Sequence, residues 1–569
     1  STGSLPKAAE APITRTCKFA RLLLAAGAMV AAVPVQASSD GGAALKALAR
    51  ARLAEDVGDP VAALSALTLV ASEAPDLPGL RGRMLEQAID AGDLAAARTA
   101  ALRLWQEGSR RFDAQLVLVV DAMRRGDWKS ARAYLGDRSD KSGGDAIAKL
   151  IQPAFTSWIA VGAREKLPEQ ALLDAAGKGR PEPALAFEAA LVQLAAKRPA
   201  DAVALAQRTA PTDRTSQLVA LRLAASFQAA GEAKAAEALR GRIALAAGGR
   251  EDPVLLLPDQ PVSTPRAGMA QWLAMLGDGF ARMPNSSPQL SMLFARSAWW
   301  LDERDWTTQS ALVEALDHGG RGADAAALLA SGRTALPPVL QMRRAELMAE
   351  AGDVTGAVAL AESSAAAAPS ARSMLVRFAD IARQSDDRAA TERAYAAVEA
   401  TLDDGNEDRA LQGTLLVARA DLRLQANDWD GASALIEKAL ALRPDDPAVL
   451  NFAGYSSIER RKNIDQSLKR IEAAWHAEPQ NAAITDSLGW AYFLTGRTAE
   501  AVPLLEQAQA SEPANAVIVE HLGDAYWQAG RRFQARYTWR AAALLAEDDM
   551  AARLGEKLRD GLTPTTTAP

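Results

Sequence analysis

The stretch Leu488-Gly489-Trp490-Ala491-Tyr492, followed by Gly496, Ala501, Leu505, Ala508 and Pro513, returns 34 residues later. It then reads Leu522-Gly523-Asp524-Ala525-Tyr526, with Gly530, Ala535, Trp539 and Ala542. A fixed period of this length marks an array of stacked units, each too small to bury its apolar face alone. The small residues have a geometric reason. Gly489 and Ala501 fall where two helices of one unit cross, and a larger side chain would push them apart. Tyr492 and Leu505 fill the space between neighbouring helices. Pro513 ends the second helix, because it has no N–H and its ring clashes with the preceding turn. The unit therefore reads as helix, turn, helix.

The same spacing extends outward. Ala432, Ile436, Ala439 and Pro444 mark one earlier second helix, and Ser467, Ile471, Ala474 and Pro479 mark the next. At the other end of the chain Gly58, Gly92 and Gly126 are 34 apart, and Ala63, Ala97 and Ala131 keep the same interval. Each of these glycines sits in a short polar turn. Weaker copies carry Gly352, Ala357 and Pro369; Gly320, Ala325, Leu329 and Pro337; and Phe227, Gly231 and Ala236. The segment 145–183, with Trp158, fits poorly and reads as a degenerate repeat with longer loops. The pattern resembles the tetratricopeptide repeat (TPR). That resemblance implies an all-α fold, a right-handed superhelical solenoid of TPR helix-turn-helix repeats whose first helices line a concave surface.

Composition agrees with a folded helical chain. Of 569 residues, 49% are apolar and 24% charged, a balance that excludes intrinsic disorder. A net charge of −6 with interleaved signs argues against non-specific nucleic-acid binding. The three histidines are His318, His476 and His521, and Cys17 is the single cysteine. So few leave little room for a His/Cys metal centre or a Cys/His catalytic pair. No phosphate-binding loop, nucleophile elbow or H-E-x-x-H motif occurs. No catalytic residue, metal or cofactor is expected, and the chain reads as a non-enzyme. His521, beside Leu522, reads as a surface or half-packed side chain.

The N-terminal region reads as an export leader. Arg15, Lys18 and Arg21 precede an apolar run from Leu22 to Val35, and Val35-Gln36-Ala37 supplies a small-x-Ala cleavage pattern. Cys17 lies ahead of the apolar run and not behind it, so no lipid attachment is expected there. No other apolar run approaches a membrane span. The organisation then reads as a leader with its extension (1–37), an N-terminal repeat array (38–250), a Pro-rich linker (251–268), a central degenerate helical region (269–412), a well-formed C-terminal array (413–560) and a disordered tail (561–569).

Positions that the repeat leaves unpacked lie two before the Leu of the Leu-Gly pair, one after the Gly, and four or five after it. In the C-terminal units these are Asp421, Asn451, Tyr455, Asp486, Trp490, Phe493, Glu520, Asp524 and Trp527. Carboxylates alternating with aromatics suit an extended or helical peptide with basic and apolar side chains. A solvated face or self-packing fits the same positions, and both readings stand. Trp299 and Trp300, with Trp306, read as core, but two adjacent residues cannot face the same side of a helix, so one buried and the other exposed at an interface is the alternative. The blocks 450–456, 484–490 and 521–527 are similar to C-terminal blocks of long exported proteobacterial TPR scaffolds, some of which partner a C-terminal processing protease. That resemblance implies a periplasmic adaptor, peripheral to the outer membrane, whose partners are protein or peptide segments, among them a protease and its substrates. The alternative is the scaffold of an envelope polysaccharide secretion machine.

Overall fold

The computed structural model describes residues 41–136, 146–177, 182–247, 253–331, 335–403, 405–546 and 548–568. The leader read at 1–37 lies outside the described residues. Among those described, every regular element is helical.

An N-terminal unit runs to Asp387. In it α1 (Gly41–Asp56) pairs with α2 (Pro60–Glu73), α3 (Leu80–Ala91) with α4 (Leu94–Gln106), and α5 (Phe112–Arg124) with α6 (Trp128–Gly136). The poorly fitting segment forms α7 (Ala146–Gly162) and the short α8 (Gln170–Ala176). Next come α9 (Pro183–Ala195) with α10 (Pro199–Arg208), and α11 (Arg214–Ala229) with α12 (Ala233–Ala247). A single 3-10 turn, Pro253–Leu256, leads into α13 (Pro265–Arg282), α14 (Pro288–Leu301) and α15 (Trp306–His318). The unit closes with α16 (Gly322–Ala330), α17 (Pro338–Glu350), α18 (Val354–Ala366) and α19 (Arg372–Ala382).

A C-terminal unit starts at Arg388. After α20 (Arg388–Glu399), it pairs α21 (Asn406–Gln425) with α22 (Trp429–Leu442) and α23 (Pro447–Ile458) with α24 (Ile464–Ala477). It then pairs α25 (Ala482–Leu494) with α26 (Thr498–Ser511) and α27 (Ala516–Gln528) with α28 (Arg532–Ala543). The last helix is α29 (Asp548–Asp560).

The turns explain the period. Gly58, Gly92 and Gly126 sit at φ of 75°, 80° and 72°, a left-handed conformation that ends a helix cheaply only without a side chain. The next residue is always Asp, and it caps the following helix. Asp59, Asp93 and Asp127 accept the N–H of Ala62, Ala96 and Ser130 at 2.9, 2.9 and 3.0 Å. The Gly-Asp pair thus stops one helix and starts the next. Ala63, Ala97 and Ala131, four residues beyond each Asp, are fully buried where the hairpin closes.

Crossings in the C-terminal unit are as tight as the spacing requires. A Cβ on Gly454 would meet Ile471 Cγ1 at 2.6 Å and the Ser467 carbonyl oxygen at 2.7 Å. On Gly489 it would meet Leu505 Cγ at 2.7 Å, and on Gly523 it would collide with the Trp539 ring. Around these crossings one polar device repeats. Tyr492 donates to Glu472 at 3.0 Å and Tyr526 to Glu506 at 2.7 Å. Arg497 and Arg531 cover the two tyrosine rings at 3.8 and 4.2 Å.

The N-terminal unit folds back on itself. α14 packs on α3 and α5, and α13 packs on α7 and α9. These first helices would line the hollow of an open array, so this unit fills its own hollow. Trp300 is core, whereas Trp299 and Trp306, also read as core, are only half-buried; the Trp300 Nε1–H donates to the Gly92 carbonyl at 3.1 Å. Arg296 and Arg321 donate to the Asp90 carbonyl at 3.2 and 3.0 Å. Carbonyls at the end of α3 lack partners in their own helix, which is why cations and an indole N–H settle there. Deeper in, fully buried Glu188 accepts from Trp158 Nε1 at 2.7 Å and from Gln271. Burial outweighs both bonds and the charge of Arg222, and pushes the Glu188 carboxyl up to about 8.

Two glycines of opposite environment test the crossing argument. Gly489→Leu overpacks the α25–α26 contact and should cost about 1–3 kcal/mol. Gly279→Ala, inside α13 with open space where its Cβ would go, should be neutral or gain up to about 1 kcal/mol. Urea unfolding followed by far-ultraviolet circular dichroism should shift the midpoint down for the first and not for the second. Equal shifts would remove the close approach as the cause.

Candidate binding surface of the C-terminal repeats

The first helices α21, α23, α25 and α27 carry all nine residues marked by the repeat pattern. Asp421 on α21 is exposed and accepts from Gln425 Nε2 at 2.8 Å. Asn451 and Tyr455 on α23, Phe493 on α25 and Trp527 on α27 are half-buried. Asp486, Trp490, Glu520 and Asp524 are buried. Those four therefore do not face open solvent; each is engaged by the next first helix or by the chain end.

A ladder of carboxylates and cations connects successive first helices. Asp486 accepts His521 Nδ1 at 2.9 Å. One unit on, Glu520 accepts Arg553 Nε and Nη2 at 2.9 and 2.7 Å. Asp486 and Glu520 hold the same place in their units, two before the Leu. Their partners also correspond, because Arg553-Leu554-Gly555 on α29 repeats His521-Leu522-Gly523 at a spacing of 32. α29 is thus a further first helix, shortened in period and without a second helix among the described residues. Lys557, fully buried, adds bonds to Glu520 at 2.6 Å and to Asp524 at 2.7 Å. Asp524 also accepts Trp539 Nε1 at 2.9 Å.

Electrostatics follow from this burial. Burial opposes a charge on His521, but the carboxylates of Asp486, Asp524 and Glu520 outweigh it and hold the imidazole above its ordinary value. Burial likewise works against an ionised Glu520, yet Arg553 and Lys557 keep its carboxyl below the usual range. At Asp524 burial prevails over Lys557 and raises the carboxyl. The reading of His521 as a surface or half-packed residue is corrected: it is completely buried. Its ring stacks on Trp490 with centroids 4.0 Å apart and planes 9° apart. Trp490 in turn stacks on Phe493 at 4.6 Å. A charged imidazole pressed on indole gains from the ring's negative face.

Past Gly561 the chain turns back over α27. Gly561 packs directly on the Trp527 ring, Thr563 and Thr566 bond to each other, and the Ala568 N–H donates to Asp524 Oδ2 at 2.9 Å. Composition suggested a loose tail here; through Ala568 the described chain instead forms a turn tied to α27. The segment covers Asp524 and part of Trp527. Of the marked residues, Asp421, Asn451, Tyr455 and Phe493 remain at least partly open. Lys557 and Arg553 were not among the residues marked from sequence, and only the Arg-Leu-Gly echo signals them.

The His521–Asp486 pair has a pH signature. A histidine held above its ordinary value of 6.5 by native contacts stabilises the fold fully below that value. This contribution is lost as pH rises through the raised native value. Asp486→Asn removes the main opposite charge, so the slope should flatten. Urea midpoints at pH 6 and pH 9 compare the two proteins, and identical slopes would disprove the coupling.

No family model matches this chain. It is 26% identical over 190 residues to the TPR repeat-containing protein PA4667 of Pseudomonas aeruginosa, a match covering 33% of this chain. The chain spans 31% of that relative's length. Among solved structures, a tetratricopeptide repeat protein of Parabacteroides merdae aligns over 44% of this chain and 96% of its own, at 14% identity and a TM-score of 0.36. Yeast Tom70 aligns over 92% of this chain and 96% of its own, at 13% identity and a TM-score of 0.33. The 34-residue hairpins and their glycine and alanine crossings build an all-α array of helix-turn-helix repeats, and over 33% of its length the chain is similar in sequence to a TPR repeat-containing protein.

Proposed function

We propose that the chain is a periplasmic adaptor or assembly scaffold that holds protein or peptide segments and carries out no chemistry of its own. A TPR fold suggests a protein-interaction scaffold in the first place. What supports a specific surface is the uneven fate of the first-helix residues. On α27 they are covered by α29 and the turn after it, whereas Asp421 on α21 is exposed and Asn451 and Tyr455 on α23 are half-buried, with the Asn451 Oδ1 atom itself turned inside. A carboxylate, an amide and a phenol in sequence along two neighbouring helices suit a segment with basic and apolar side chains. Within the envelope, such a segment belongs to a substrate being delivered to a protease, or to the protease itself.

Export rests on the leader pattern. The mature chain should begin at Ser38, which mass spectrometry of a periplasmic fraction reads directly; retention of residues 1–37 in the cytoplasm would refute it. A photo-crosslinking residue in place of Asn451 should capture a discrete protein, while the same residue in place of Lys438, exposed on the second helix α22, should not. Asp421→Lys with Asn451→Lys should cut that capture about tenfold without altering helical content. Capture that is equal at both sites would move binding off this face. Lost polymer export with normal proteolysis in a deletion strain would favour the secretion scaffold.

A further inference from the structure

α28 turns one face into the fold and one away from it. Ala535, Trp539 and Ala542 are buried on the inner side. On the outer side Phe533 is 84% exposed, Tyr537 70%, and Leu544, just past the helix end, 88%. At about 100° per residue these three fall with exposed Arg540 on one narrow strip. Arg532 and Arg536 follow one edge of it. Their guanidiniums lie over the Trp527 ring at 3.9 and 5.3 Å, so they are held in place and not left to wander. The helix has three arginines and no acidic residue, in a chain whose net charge is −6.

Such a strip is unusual on a water-soluble surface, where large apolar groups scatter singly. Its charge selects an anionic partner. Its shape selects further. Side chains exposed to this degree project outward and are not seated in a groove, so an acidic protein would have to bring the groove with it. A bilayer interface needs none: aromatic and leucine side chains enter the headgroup boundary while arginines meet the phosphates. We propose that the outer face of α28 docks this protein on the surface of an anionic lipid bilayer. Phe533, Tyr537 and Leu544 insert, and Arg532, Arg536 and Arg540 pair with lipid phosphates. The inference does not depend on the adaptor reading or on export, since any anionic bilayer offers this chemistry.

Flotation of the purified chain with vesicles tests it. Vesicles of phosphatidylcholine with phosphatidylglycerol should carry the protein upward, and phosphatidylcholine alone should not. Salt at about 0.5 M should weaken the binding, because it screens exposed charge. Replacing Phe533, Tyr537 and Leu544 together by Ser should reduce flotation about tenfold. Arg540→Glu, an independent change on the same strip, should reduce it several-fold, and both variants should keep the wild-type circular-dichroism melt. Absence of wild-type flotation with anionic vesicles overturns the proposal, as does wild-type flotation by the triple variant. If vesicles are ignored and the same substitutions instead abolish binding to an acidic protein, the face belongs to a protein contact and the membrane assignment falls.

Discussion

The distance at which two helices of a hairpin can cross governs the C-terminal unit. At Gly454, Gly489 and Gly523 there is no room for a single additional carbon. Opposite them the second helices bring a side chain straight onto the glycine: Ile471, Leu505 and Trp539. The consequence spreads by registry. Once the backbones touch, tyrosines four residues beyond Leu488 and Leu522 reach the same glutamate of the preceding helix in each unit. The arginine after each turn then finds the tyrosine face. Interiors pack like crystals, so one fixed contact dictates its neighbours.

Stacking of successive first helices makes a second demand, which explains why several groove positions are closed. A carboxylate two before the Leu is met by a cation from the following first helix, His521 in one unit and Arg553 in the next. Buried pairs of this type add little net stability. They do make a wrong neighbour expensive, because an abandoned buried charge costs about 3–5 kcal/mol. The ladder therefore acts on which helix stacks where. Its cost is that Asp486, Glu520 and Asp524 have no capacity left for an outside ligand.

These two layers were not equally legible in the sequence. Crossings and turns are written locally: Gly-Asp at 58–59, 92–93 and 126–127, and Leu-Gly with Tyr four beyond the Leu, lie within one unit and recur. Burial of His521 is not local, since its partner Asp486 is 35 residues away and a lone histidine between Glu520 and Leu522 carries no mark of a buried pair. α29 escaped because its period shrinks to 32 and it lacks the tyrosine. The turn at Thr563 escaped for another reason. Threonine and proline suggest a loose tail, and only the fold shows the Asp524 carboxylate waiting for the Ala568 N–H.

Self-filling of the N-terminal unit was least legible, and its chemistry shows why. The polar contacts that tie α14 to the end of α3 join residues more than 200 apart, and their acceptors are backbone carbonyls at Asp90 and Gly92, which no sequence pattern records. Burial drives the Asp90 carboxyl up to about 6 against the charges of Arg321 and Arg296, and it pulls Arg296 down to about 10. Both shifts mark a joint that water has left. A helix end supplies such a joint without any dedicated side chain, because its last carbonyls carry the negative end of the dipole whatever the residues are. Here the first-helix faces α3, α5, α7 and α9 are spent on internal packing. In the C-terminal unit α27 is likewise covered, by α29 and the turn after it. Subtraction leaves Asp421 of α21, exposed, and Asn451 and Tyr455 of α23, half-buried, as the marked residues of the proposed binding face that keep some exposure, while Phe493 of α25 is stacked on Trp490.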